Sequence, residues 1–429
     1  MSATEGGAIP KRVSLRDIAR VFAKVGTIGF GGGVGMLAII RQEVVERRRW
    51  IDDAQLSVAV AMGQMLPGPF VPNYAEYIGY ELRGMRGMVT AVVALLAPCF
   101  LLMCGLSYLY FRFGSVPLVT RLFSGVQPVV VGILAWATWS IGKANITNWR
   151  AVAIGVIAAT ALFLKVDVLL VVVGCGVLGM LLARKWSSGQ VVKGSSGEPK
   201  AEGRRQKEEG RSEEGKPERT EARSQEPKAK RQNGGLPGLL SLSPLLPLLV
   251  VAGAVPGVWQ KAGELALVFL KVGTVIFGGG FAAIPFLQHE VVDVHRWLSM
   301  REFIDGVALG QITPGPVAIT AAFIGYKVLG FWGALIAALG TFLPSSLMLW
   351  GLIHVYRRVQ YNGAVQGFLS GVMPAVTGMI LTATVFVGKT AIAGPVQAVV
   401  APLAFCLLLR YRIEPVWLIL GGALVGVAV

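Results

Sequence analysis

Apolar stretches of about 20 residues, separated by short polar intervals, recur along nearly the whole chain, and an α-helix needs that length to cross the hydrocarbon core of a bilayer. In the first half they fall at 21–40, 54–78, 88–110, 122–142, 151–164 and 167–183. In the second they fall at 266–287, 303–326, 331–353, 364–388, 391–409 and 414–429. One further run, 239–258, carries Pro244, Pro247 and Pro256 and stands between the halves. The fifth run is short and reads as a tilted or partial span, or as half of a tight hairpin with the sixth. The pattern predicts an all-α, polytopic integral membrane protein of about 13 transmembrane segments.

The two halves are copies of one module. FAKVGTIGFGGG at Phe22 returns as FLKVGTVIFGGG at Phe269, RQEVVERRRW as QHEVVDVHRW, and GQMLPGP at 63–69 as GQITPGP at 310–316. From Phe22 to Trp50 there are 14 identities in 29 positions at a constant offset of 247. The offset then becomes 246, pairing Gly79-Tyr80 with Gly325-Tyr326, Gly87 with Gly333, Pro98 with Pro344 and Pro128 with Pro374. Two six-span units separated by a single extra span must lie antiparallel, so the homologous halves are expected in inverted orientation. The expected domains are a cytoplasmic N-terminal segment 1–20, a first repeat 21–186, a linker 187–235, an extra span 236–260 and a second repeat 261–429.

Composition agrees with a membrane protein: 54% of residues are hydrophobic and only 15% charged, against about 25% charged in soluble domains. Residues 187–235 hold 12 Lys/Arg and 9 Asp/Glu with almost no large aliphatics, the composition of a disordered linker. The net charge of +16 sits in loops between spans and leaves no basic face for nucleic acid; it fits the excess of Lys and Arg on cytoplasmic loops. With a cytoplasmic N-terminus, Arg83, Arg86, Lys143, Arg150, Arg184, Lys185, Arg296, Arg301, Arg357, Arg358, Arg410 and Arg412 fall inside. Arg47, Arg48 and Arg49 fall outside on this count, unless the Gly-rich segment before them is re-entrant. The expected location is the bacterial inner (plasma) membrane, with linker and N-terminus cytoplasmic. No cleaved signal peptide is recognisable. Cys99, Cys104, Cys175 and Cys406 lie in apolar runs without ligand spacing and read as packing residues.

The candidate chemistry lies where helices must break. Gly31-Gly32-Gly33 and Gly278-Gly279-Gly280 are poor helix interiors, and Pro67-Gly68-Pro69 and Pro314-Gly315-Pro316 each remove two backbone donors. A broken backbone is tolerated in a membrane only against protein or a wet cavity. Pro69 and Pro316 are placed to start half-helices whose free N–H groups attract anions, and broken helices in inverted repeats are the recurring build of secondary transporters. Gln64, Gln311 and Asn73 adjoin the breaks. Lys24 and Lys271 occupy equivalent places and are read either as substrate-facing cations or as snorkelling side chains. Glu76, an intramembrane acid without a counterpart in the second copy, is the candidate for proton coupling. Glu43 and Glu290 belong to stretches ending in Arg-Trp that read as interfacial. GVGMLA at 33–38 fits a loose dinucleotide fingerprint, but the second copy reads GFAAIP. His289, His295 and His354 lack metal-ligand spacing, and no nucleophile–base pair or phosphate loop suggests an enzyme. No metal or other cofactor is expected.

The duplicated KVG-T-x-x-FGGG, E-V-V…R-W and Q-x-x-PGP motifs resemble the chromate ion transporter family in its long, two-domain form. The resemblance implies a membrane transporter that exports chromate and confers chromate resistance, with sulfate as the structural analogue. A sulfate uptake carrier of the same fold is the near alternative; a membrane scaffold or membrane-embedded enzyme is the distant one. The implied partners are a chromate- or sulfate-like dianion and the lipid bilayer, and a homodimer is compatible with this reading.

Overall fold

The computed structural model describes residues 13–30, 32–114, 116–184, 257–277, 279–411 and 413–428. Among them every regular element is helical. The first repeat contains α1 (Leu15–Ile28), α2 (Gly32–Arg41), α3 (Asp53–Met65), α4 (Phe70–Phe113), α5 (Pro117–Asn145), α6 (Trp149–Phe163) and α7 (Val168–Arg184). The second contains α8 (Val258–Val275), α9 (Ala283–Gln288), α10 (Met300–Ile312), α11 (Thr320–Val359), α12 (Gly363–Ala391), α13 (Pro395–Tyr411) and α14 (Pro415–Ala428). The expected linker and the extra span up to residue 256 lie outside the described residues.

Both helix breaks occur where the glycines and prolines stand, and each is a reversal of direction. Lys24 Nζ donates to Glu43 Oε1 at 2.8 Å across 19 residues, a contact that two collinear helices at 1.5 Å per residue would not reach. The chain therefore folds back at Gly29-Phe30, and α1–α2 is a re-entrant hairpin. A second hairpin follows. A Cβ on Gly63 of α3 would strike the Tyr74 ring, so α3 and residues 70–82 run antiparallel with Pro67-Gly68-Pro69 at the tip. Gly68 sits at φ +122° and Gly315, its counterpart, at +115°, where only glycine is comfortable.

The apparent length of α4 conceals another reversal. Arg83 and Gly84 leave helical geometry, Gly84 at φ +59°, and Gly79 then lies against Gly87 and Ala91. Residues 85–113 are consequently a separate, full-length helix. In the second repeat Leu329 and Gly330 do the same and bring Gly325 onto Gly333 and Ala337. Each repeat is thus two re-entrant hairpins followed by four crossing helices, which corrects the six spans per repeat that the apolar runs predict, because the first two runs fold back instead of crossing. The last two are short, 15 and 17 residues in the first repeat.

Contacts between the repeats fix their relation. Tyr80, beside the first kink, meets His354 near the end of α11, while Phe100 and Phe111, well along residues 85–113, meet Phe331 and Tyr326 beside the second kink. The long helices therefore run antiparallel, and the repeats are inverted about an axis perpendicular to them. Reciprocal contacts confirm a pseudo-two-fold: Gly68 N–H donates to the Ile276 carbonyl and Gly315 N–H to the Gly29 carbonyl, at 2.9 Å in the latter case. The terminal helices clasp the opposite repeat: α12 packs on α6 and α7, and α5 on α13 and α14. Small residues make the close approaches, Gly371 against Cys175 and Gly179, Gly125 against Gly422 and Gly426, as helix contacts in membranes require.

Re-entrance corrects the charge assignment. Arg47, Arg48 and Arg49 return to the face on which α1 begins, and Arg83 reaches back to the Val13 carbonyl at 3.3 Å on that same face. Arg296 and Arg301, by inversion, belong to the opposite face. Arg49 and Arg296 also share a left-handed backbone, φ 51° and 53°, just before the paired tryptophans.

Candidate functional site

Four hairpin tips come together around a partly open cavity of about 300 Å³, within the range of small-ligand pockets. Of the expected site residues it is lined by Gly33, Gln64, Pro69, Gly279, Gly280, Gln311, Gly315 and Pro316. Gly32 begins α2. Pro67, Gly68 and Pro314 shape the tips from behind, with Gly68 against Ser345 and Gly315 against Cys99. Gly31 and Gly278 lie outside the described residues.

The lining also contains residues that the sequence did not single out: Phe30, Tyr74, Trp136, Ser140, Phe281 and Glu414 among them. Trp136 and Phe281 meet edge to face, their ring centres 6.4 Å apart. They come from α5 and from the 3-10 turn Gly280–Ala282 that follows the second glycine cluster, which only the fold brings together. Ser140 near the end of α5 and Glu414 before α14 place this side of the cavity toward the face that carries Arg47 and Arg83.

Two half-helices aim their N-termini at the cavity. One begins at Phe70 after Pro69, and the other turns through Val317–Ile319 after Pro316; neither start has a side-chain cap. The first N–H groups of each are free of intrahelical partners and carry the positive end of the helix dipole. Gln311 is nearly buried, and its side-chain N–H₂ has no hydrogen-bond partner. A buried, unpaired donor beside two helix N-termini is an environment for an acceptor-only, negatively charged group.

Lys24 and Lys271 are not brought to this cavity. Lys24 is held by Glu43 at 2.8 Å. Lys271 lies between Asp167 Oδ2 at 2.6 Å and Glu290 Oε1 at 2.7 Å. Both lysines close their hairpins at the base. The turns that bring Glu43 and Glu290 back, Gln42–Arg47 and His289–Val294, are wider than α-helical. The Lys24 hydrogen bond, against the cost of burial, holds the Glu43 carboxyl below its ordinary range. Asp167, His289 and Glu290 converge closely enough to form a ligand set, but the Lys271 ammonium already supplies their positive charge.

Besides Glu43 and Glu290, two further acids are buried outside the cavity among the described residues, Glu76 and Asp305. Glu76 is fully buried, and accepts a hydrogen bond from the Ser346 hydroxyl. Asn73, one turn earlier, is fully buried with neither side-chain polar atom paired. Asp305, which the sequence reading passed over, accepts from Tyr110 at 2.7 Å and Gln127 at 2.8 Å. It lies at a second cavity of about 350 Å³, with Arg301 and Thr390, near the opposite face.

Comparison with known proteins agrees with the duplication. The family model described as chromate transporter matches twice, over residues 16–180 and 263–427. The chain is 29% identical over 420 residues to the chromate transport protein of Cupriavidus metallidurans, covering 96% of this chain and 92% of that one. It is 30% identical over 379 residues to the probable chromate transport protein of Synechococcus elongatus, covering 88% and 85%. A match of 166 residues at 32% identity takes in 93% of the uncharacterized transporter YwrA of Bacillus subtilis but 38% of this chain, so a protein of about one repeat's length exists among the relatives. No solved structure matches the chain.

Proposed function

This chain belongs to the chromate transporter family, and on that premise we propose that it is a secondary transporter which carries chromate out of the cell through the four-tip cavity. The observation that carries this reading is the convergence of two uncapped half-helix N-termini and the unpaired Gln311 amide on one cavity. A tetrahedral dianion offers acceptors in every direction and no donors, so it matches such a lining. Sulfate, of like charge and shape, is the natural competitor. The inverted repeats supply the transport device: the same hairpins, related by a pseudo-two-fold, open from opposite faces, and rocking one repeat against the other exposes the tips alternately. The inside-negative potential of a bacterial inner membrane favours outward movement of a dianion by about 2.3 kcal/mol per charge per 100 mV. The N-terminus and the face carrying Arg47 and Arg83 are cytoplasmic in this reading.

Flux of labelled chromate and sulfate in oriented vesicles tests it. Outward chromate movement, driven by potential and competed by sulfate, is expected. Movement of sulfate alone, inward and insensitive to chromate, would favour the uptake carrier instead.

A further inference from the structure

The polar cluster behind the first PGP tip has no counterpart in the second repeat, although the backbone around it does. At the offset of 246 that pairs Gly79 with Gly325, Glu76 corresponds to Ala322 and Ser346 to Phe100. Gly68 meets Ser345 as Gly315 meets Cys99, so the two backbones are built alike at this junction. One junction is apolar. The other buries a carboxylate and an amide, with a half-buried hydroxyl beside them.

Those groups are not satisfied by one another. Ser346 donates to Glu76 Oε1, which leaves Glu76 Oε2, Asn73 Oδ1 and Asn73 Nδ2 buried and unpaired. Asn73 and Glu76 stand at i and i+3 on residues 70–82, one above the other on a face of the helix. Among the described residues Glu76 takes part in no ion pair. The titratable groups nearest along the packed elements serve other residues: Glu81 on its own helix and Tyr356 from α11 bear on Tyr77, and His354 of α11 meets Tyr80 at 3.5 Å. From α1, Lys24 is taken by Glu43; from α3, Asp53 is taken by Arg41 at 2.9 Å. An unpaired buried carboxylate is costly in a membrane, and three hard oxygens with spare lone pairs are what a small cation requires.

We propose that Glu76, Asn73 and Ser346 form a binding site for a coupling monovalent cation, a proton or a sodium ion, used by the transport cycle. The site joins the two repeats, since Glu76 and Asn73 come from the first and Ser346 from the second. It also lies on the half-helix whose first residues, Phe70 and Val71, line the anion cavity. A cation bound here neutralises Glu76, ties residues 70–82 to α11 and so fixes where the Phe70 and Val71 N–H groups point. Its binding and release therefore couple to the anion through one rigid half-helix.

The inference rests on the cavity reading above, and two readouts keep the failures apart. In the first, purified full-length protein is melted in choline, in sodium and across pH, without anion. The wild type should gain several degrees of melting temperature from sodium or from acidification, Glu76→Gln should lose that response, and Ser346→Ala should need about tenfold more cation. In the second, chromate flux into vesicles is measured with the potential clamped and a tenfold gradient of sodium or of protons. A wild-type response to one gradient identifies the cation, and Glu76→Gln should abolish the response while still binding chromate. If Glu76→Gln and the wild type respond alike in melting and in flux, or if the wild type responds to neither cation, the proposal is wrong. If the cation responses stand but no variant or wild type binds chromate, the cavity reading fails and the cation site survives.

Discussion

Gln311 contributes the donor on which anion affinity should depend most directly, because it is nearly buried at the cavity and its N–H₂ is unpaired. A hydrogen bond to a charged group contributes about 1.5–3 kcal/mol. Gln311→Leu should therefore weaken chromate binding roughly 10- to 100-fold, as measured by equilibrium dialysis, with Gln64→Leu showing a smaller loss because Gln64 is more open. Unchanged affinity in Gln311→Leu would remove this residue from the site. Both glutamines stand in the repeated Q-x-x-PGP motif, whereas pattern alone left the lysines open between a substrate-facing and a snorkelling place. Their partners stand 19 residues away, and nothing in the spacing revealed that the chain turns back between them. Glu43 supplies a second test. Its carboxyl titrates below the unfolded value of about 4.3, so the stabilisation is present above that value and is lost as pH falls through the lower folded one. Glu43→Gln should melt below the wild type at neutral pH, and the gap should shrink as acidification protonates the folded carboxyl; a constant gap would contradict the pairing.

At the scale of elements, the decisive feature is reversal. Apolar period and length correctly announced helices, and Gly and Pro announced where they break, but a broken crossing and a re-entrant hairpin have the same sequence. What separates them is side-chain contact across the break, such as Gly63 on Tyr74 or Gly310 on Thr320. The same holds at Gly84 and Gly330, where a polar interval read as a loop is a turn of two residues. That turn works because the helices it joins touch through Gly79 and Gly87. A Cβ at Gly87 would lie 2.9 Å from the Arg83 Cβ and closer still to the Gly79 carbonyl oxygen. Gly87→Val should cost at least the about 1–3 kcal/mol of an overpacked contact, seen as a lower melting temperature in detergent. Gly105→Val, at a position with open space around it, is the control that should melt like the wild type.

At the scale of the molecule, duplication and inversion were legible from the repeat offset and the single extra run between the halves, while the site itself was legible only in part. Its glycines and prolines recur and so stood out. Trp136, Phe281 and Glu414 reach the cavity from segments far apart in the chain, which no local pattern encodes. Inversion has a direct consequence for accessibility. Glu46 and Asp293 are equivalent, exposed positions on the first hairpin of each repeat. In a background with the exposed Cys406 replaced by Ser, Glu46→Cys and Asp293→Cys should react with a membrane-impermeant maleimide from opposite sides. Labelling of both from one side would contradict the inverted arrangement.

The central claim is that the anion occupies the space between the four hairpin tips, and Gly33 allows that space to be filled without disturbing its walls. A Cβ there meets nothing within 4 Å, whereas Gly280 would press on Val317 at 2.8 Å and Gly279 has a left-handed backbone. The measurement is chromate binding by purified wild type and Gly33→Val, with melting curves recorded on the same samples. Binding should weaken at least about tenfold, a loss of about 1.4 kcal/mol, while the melting temperatures agree. Equal affinity in two equally stable proteins would place the anion elsewhere.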